Sequence, residues 1–186
     1  MRKFHRNELT RFLESVDEHL PGPRRVILIG GAAASLAYGI SRVTTDVDTI
    51  TDLSDLREAL QAARSDTGLD IPFQFVAVFD APYDYEDRLT PIDLGLDKLQ
   101  VVVPEKHDLA LMKAVRGQEN DLEAIEQIAQ RVGLDRAILV DRFRTEMTHV
   151  TGTSGRLRTN FLSVIERLYG ESEADRVNSE LTDSAP

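Results

Sequence analysis

Cysteine is absent from the chain. That excludes disulfides, thiolate zinc sites and a thiol nucleophile in one step. Histidine is scarce: His5, His19, His107 and His149 fall at no metal-ligand spacing, so a zinc enzyme is disfavoured and any metal is expected to be a hard cation held by oxygen. Long apolar runs are missing as well. No stretch approaches the roughly 18–20 residues of a membrane span, and residues 1–13 lack the apolar segment of a signal peptide. A cytoplasmic protein with no membrane association is expected. Basic residues are outnumbered by acidic ones, 22 to 32, and the net charge of −10 disfavours a protein that simply coats nucleic acid. Local basic positions remain: Arg24, Arg25, Arg42, Lys106, Lys113 and Arg116 lie in or beside the segments that carry the candidate site.

What is present is an ordinary globular balance in 186 residues, enough to bury one full core. Residues 7–20 place Leu9, Phe12, Leu13 and Val16 at helical spacing and end at Pro21-Gly22-Pro23, the pattern of a packing helix and a turn. Residues 26–29 form a short apolar run closed by Gly30-Gly31, as in a buried strand. A helix is expected over 32–38 with Gly39 as its terminator, then a strand over 43–51 and a helix over 54–64 with Leu56 and Leu60 in its buried stripe. A strand over 71–79, an irregular stretch over 80–97 and a strand over 99–103 follow. From 108 onward the pattern is helical, over 108–116, 121–131, 135–148 and 156–169. This order predicts an α/β (α+β) architecture: a mixed sheet with flanking helices and a helical carboxyl-terminal half. The expected division is a sheet domain over 1–118, a helical extension packed on it over 119–178, and a disordered tail over 179–186.

Chemistry concentrates between Gly30 and Asp48. Two glycines between a buried strand and a short helix let backbone approach closely, and the N–H groups at the helix start favour an anion such as a triphosphate. Asp46 and Asp48, two apart on a strand, face the same way and repel each other unless a cation sits between them. In phosphoryl transfer such a cation bridges phosphate oxygens and offsets developing charge. Arg42 fits either a phosphate contact or a pair with a neighbouring carboxylate, and Thr44 either a site role or an ordinary strand position.

Gly-Gly, a short helix, Arg42, and then Thr44-x-Asp46-x-Asp48 resemble the DNA polymerase β-type nucleotidyltransferase superfamily, in particular its small bacterial members found as toxins of toxin–antitoxin pairs and in phage defence. The resemblance covers about residues 24–130. It implies a nucleotidyltransferase fold, with Gly30 and Gly31 as the phosphate loop, Asp46 and Asp48 as ligands of magnesium, up to two ions, and Arg42 and Thr44 lining the nucleotide. The superfamily's later motif, a helical lysine followed by an aspartate, matches Lys113 and Asp121. Arg116, three positions after Lys113, can face the same cleft. Asn120 or Asp121 also reads as a helix N-cap with Glu123 completing a capping box. One departure stands out: where superfamily members carry a third acidic residue early in the next core strand, this chain has Gln74.

The function these residues imply is transfer of a nucleoside monophosphate from a triphosphate to a hydroxyl acceptor, with Asp46, Asp48 and Lys113 as the catalytic set and Arg116 offsetting triphosphate charge. The acceptor is left open between the 3′ end of tRNA or another RNA and a cognate protein, as for the toxin of a toxin–antitoxin pair. Gln74 supports the alternative, a catalytically weak or inactive domain that binds nucleotide or regulates a partner, as an antitoxin does.

Overall fold

The computed structural model describes residues 2–41, 43–150 and 154–183. The first helix, α1 (Arg6–His19), buries Leu9, Phe12, Leu13 and Val16, the stripe its spacing predicts. β1 (Arg24–Ile29) follows, then α2 (Gly30–Tyr38), β2 (Val47–Thr49), α3 (Arg57–Thr67) entered through a 3-10 turn (Ser54–Leu56), β3 (Phe73–Phe75), β4 (Thr90–Pro91) and β5 (Leu99–Val103). The remaining helices are α4 (Lys106–Arg116), α5 (Glu119–Val132), α6 (Arg136–Glu146), α7 (Ser154–Tyr169) and α8 (Glu171–Asp183).

The strands form one mixed sheet in the order β3-β2-β1-β5-β4. β1 pairs parallel to β5 and antiparallel to β2, and β2 pairs parallel to β3. Helices flank this sheet and fill the carboxyl-terminal half, which is the α+β architecture expected from the order of elements. α1 packs on α3, and Phe12 of α1 meets Phe73 of β3 with ring centroids 5.8 Å apart.

The end of α1 also fixes the start of β5. Asp17 is buried and accepts backbone N–H bonds from Asp97, Lys98 and Leu99 at 3.1, 2.7 and 2.5 Å. Burial pushes its carboxyl pKa up, but those three donors and the Lys98 charge outweigh it and hold the group below its ordinary range.

By contacts the chain divides into two compact units, Met1–Val78 with Arg88–Glu105, and Phe79–Asp87 with Lys106–Pro186. The sheet and α1–α3 belong to the first. The second has its own core, where Phe161 stacks on Phe143 with centroids 3.9 Å apart and Leu111, Ile125, Leu139 and Ile165 are buried. Its first long helix is α4, which the sequence reading grouped with the sheet up to residue 118.

Four elements differ from the sequence expectation, the first being β4, a strand within the stretch expected to be irregular. The strand expected over 43–51 shortens to β2, because Thr44 leaves it to form an isolated antiparallel bridge with Phe4. The strand expected over 71–79 shortens to the three residues of β3 at the sheet edge, where only β2 is available to pair. α8 runs through residues 179–183, which read as tail, because Ala174, Val177 and Leu181 recur at helical spacing and pack on the second core.

Candidate functional site

The site in the first unit is set by the junction of β1 with α2. Gly30 turns the chain there with a φ of +69°, a conformation that side chains other than glycine rarely adopt. A Cβ at Gly30 would lie 2.8 Å from Asp48 Oδ2, so the missing side chain is also what makes room for that carboxylate. Sheet register explains the meeting. Asp48 pairs with Ile29, the residue immediately before Gly30, so pairing of β1 with β2 delivers Asp48 to the start of α2.

Gly31 plays the same part for Thr44, whose Oγ1 would stand 3.0 Å from a Cβ at Gly31. Thr44 is buried, and its backbone exchanges two hydrogen bonds with Phe4, at 2.7 and 3.1 Å. Its hydroxyl donates to the Asp46 carbonyl at 2.9 Å and lies 3.5 Å from Asp46 Oδ1. In this arrangement Thr44 orients Asp46 rather than standing as an independent strand residue. Asp46 itself occupies the bend ahead of β2, so only Asp48 of the acidic pair is on the strand. Burial still alternates, with Val47 and Thr49 in the core and Asp46 and Asp48 partly exposed.

The position across the sheet from Asp48 is Gln74, its register partner on β3. Paired residues of neighbouring strands emerge on the same face, so an amide stands beside the carboxylate where a third acid would complete a triad. Accordingly, among the described residues no group of three or more His, Cys, Asp or Glu side chains is placed to hold a metal ion. Two carboxylates nevertheless suit magnesium, which keeps several waters and is commonly held by one or two carboxylates together with the phosphates of its substrate. Asp48 Oδ2 occupies the place a side chain at Gly30 would take, which sets this carboxylate against the start of α2. Arg42, the remaining residue expected at the nucleotide, lies outside the described residues.

A second cluster belongs to the second unit. Lys113 and Arg116 stand in the last turn of α4, and Asp121 in the first turn of α5. Arg116 grips Asp121 with two parallel bonds, Nε to Oδ2 at 2.7 Å and a terminal nitrogen to Oδ1 at 2.5 Å. Lys113 Nζ lies 3.7 Å from Asp121 Oδ1, and Asp121 is 1% exposed. Burial raises the pKa of Asp121, but the Arg116 hydrogen bond and the charges of Lys113 and Arg116 overcome it, and the carboxyl is held low. The N-cap of α5 is Gln118, not Asn120 or Asp121, so the capping-box reading gives way to a buried ion pair. The guanidinium of Arg116, expected at triphosphate, is engaged with Asp121 and half exposed beyond it.

The structure therefore brings Gly30, Gly31, Thr44, Asp46 and Asp48 together in one unit and Lys113, Arg116 and Asp121 together in the other. The brace joins Thr44 to Asp46 two positions on, within the Thr-x-Asp spacing of the sequence, whereas the backbone pairing of Thr44 with Phe4, forty positions away, had no signal there. One family, described as a nucleotidyltransferase of unknown function (DUF6036), has a sequence model that matches residues 7–169. No curated protein and no solved structure matches the chain.

Proposed function

The chain belongs to this family of nucleotidyltransferases of unknown function, and on that premise we propose that it transfers a nucleoside monophosphate from a triphosphate to a hydroxyl acceptor in a magnesium-dependent reaction. The observation that carries the proposal is the seat of Asp48 on Gly30, with Asp46 braced by Thr44 beside it. Two oxygen-donor carboxylates are thereby gathered at the start of a helix whose first N–H groups favour phosphate.

In this reading Asp46 and Asp48 hold the cation, and Gly30 and Gly31 let the triphosphate approach the backbone of α2 closely. Bound magnesium would supply charge stabilisation at the phosphate oxygens. Lys113, buried with the Asp121 carboxylate near it, and Arg116 are given a part at the triphosphate by the superfamily resemblance alone. The acceptor is an RNA 3′ end or a hydroxyl of a cognate protein, and a toxin of a toxin–antitoxin pair is the biological role proposed.

A second reading rests on Gln74. With an amide in register with Asp48, no third carboxylate among the described residues joins the pair to take the proton of the attacking hydroxyl, which favours a slow enzyme or a nucleotide-binding regulator. Purified protein incubated with Mg²⁺, each α-labelled triphosphate in turn, total RNA and cell lysate separates the readings. Label transferred by the wild type and lost in Asp46→Ala and Asp48→Ala supports the enzyme. Metal-dependent nucleotide binding without transfer supports the regulator. Growth inhibition on expression that disappears with Asp48→Ala supports the toxin.

A further inference from the structure

β3 is an edge strand that pairs with β2 alone. The Val47 N–H donates to the Pro72 carbonyl and the Val76 N–H to the Thr49 carbonyl, both at 2.8 Å. Main-chain groups alternate in direction along a strand, so those of residues 72, 74 and 76 face β2 and those of Phe73 and Phe75 face away from it. Among the described residues, none bonds to the main chain of Phe73 or Phe75 on that open side. The open stretch ends at Ile71, which is buried and whose carbonyl accepts from Arg64 at 3.4 Å.

Such edges are ordinarily blunted by charge or by proline. Neither acts here: residues 71–79 carry no charge in a chain of net charge −10, and the N–H that Pro72 lacks would face β2, not the open side. Phe75 is 50% exposed and Val78 89% exposed. The strand preference read over 71–79 is satisfied by β2 over three residues only. What fits the edge is given by its own pattern. Phe73-Gln74-Phe75 reads the same in both directions, so two copies can pair antiparallel about a two-fold axis at Gln74, perpendicular to the sheet. Each Phe73 then stands opposite Phe75 of the other copy, and the outward groups of both exchange N–H···O bonds. The exposed Phe75 ring meets an aromatic neighbour there, since Phe73 packs 5.8 Å from Phe12 on the face that both phenylalanines share. The neutral seam is also where two copies of an acidic chain approach without repulsion.

We propose that β3 pairs edge to edge with β3 of a second copy of this chain, continuing the five-stranded sheet into one of ten strands. Asp48 and Gln74 are register partners, and the two-fold axis preserves the faces of the sheet. The two candidate sites therefore stand on one face, with their Asp48 residues three strand spacings, about 14 Å, apart. The pairing is a property of the edge and holds whether or not the nucleotidyltransferase reading does.

Sedimentation velocity of the full chain, from micromolar to submillimolar concentration, should show a monomer–dimer equilibrium. Phe75→Glu and Phe75→Pro are each expected to weaken it about tenfold or more, because every change counts twice across the axis. The proline also removes an N–H that faces only the open side, so it tests the pairing of the main chain. Circular dichroism and urea unfolding confirm that each variant folds. The absence of cysteine makes the register testable as well. Gln74→Cys places two thiols on a non-hydrogen-bonded pair with Cα atoms about 4.5 Å apart, within disulfide reach. Ala77→Cys, three positions from the axis on each strand, leaves them about 20 Å apart. Under mild oxidation Gln74→Cys should give a covalent dimer on a non-reducing gel, and Ala77→Cys should not. A chain that is monomeric at every concentration and forms no Gln74→Cys dimer overturns the proposal. So does a dimer that Phe75→Glu and Phe75→Pro both leave intact, which would place the interface elsewhere. Equal cross-linking of the two cysteine variants overturns it too, since it would show random collision in place of a fixed register.

Discussion

Asp48 and Gln74 are register partners on the parallel strands β2 and β3, so a carboxylate and an amide stand side by side on one face of the sheet. The amide carries no charge to share with a cation and accepts a proton poorly. Whether the protein turns over depends on how far two acids can do the work of three.

The first expectation follows from that pair. Gln74→Asp places a third carboxylate next to Asp48 and should tighten Mn²⁺ or Mg²⁺ binding by about tenfold, a change of about 1.4 kcal/mol, and raise the rate of label transfer. Isothermal titration with and without triphosphate reads the affinity. An affinity equal to wild type would place position 74 outside the reach of the cation.

Gly30→Ala combines two penalties. The positive φ costs a non-glycine residue about 1–2 kcal/mol, which urea unfolding should show. The new Cβ would sit 2.8 Å from Asp48 Oδ2, so the carboxylate must swing away. Metal-dependent triphosphate binding is therefore expected to fall further than the stability loss accounts for. Stability lost with binding intact would mean that Asp48 can move without consequence.

The pair of Arg116 and Asp121 is asymmetric. Asp121 is 1% exposed and Lys113 beside it is 7% exposed, whereas the Arg116 side chain is 61% exposed. Asp121→Ala takes a carboxylate from two cations, one of them buried, and should destabilise the second unit by about 3 kcal/mol. Arg116→Ala should cost about 1 kcal/mol, because solvent replaces much of what an exposed guanidinium supplies. Denaturant titration of both variants checks the order, and a reversed order would contradict the burial argument.

Acid should destabilise the fold through Asp17 and Asp121. Both carboxyls titrate lower in the folded chain than their ordinary value of 3.8. A depressed folded pKa contributes stability that is fully present above the unfolded value and is lost as pH falls through the folded one. Stability is thus expected to hold from neutral pH down to about 5 and to decline below about 4. Asp17→Asn keeps an oxygen acceptor but loses the charge on three N–H bonds, so it should cost about 2 kcal/mol at pH 7 and show a shallower decline in acid. Equal acid slopes for the variant and the wild type would remove Asp17 from the account.

The sequence by itself determined most of the order of elements, β4 and α8 excepted, and singled out the candidate residues between Gly30 and Asp48. Apolar runs at 26–29 and 99–103 and the stripe of α1 identified the sheet and its packing helix, because burial periodicity is a local property. The Gly-Gly turn and the two aspartates marked one end of α2 for the same reason. Pairing lay beyond local signals. That β2 stops at three residues, that Thr44 bonds to Phe4, and that Gln74 falls opposite Asp48 are matters of register between distant segments. Asp121 shows the limit most clearly. Its neighbours in sequence fit a helix cap, and only the fold of α5 against α4 reveals a buried carboxylate held by Arg116 and Lys113. Local pattern states which side chains prefer water or core; which of them meet is decided by tertiary packing, where the free energy of burying a charge depends on the partner that arrives with it.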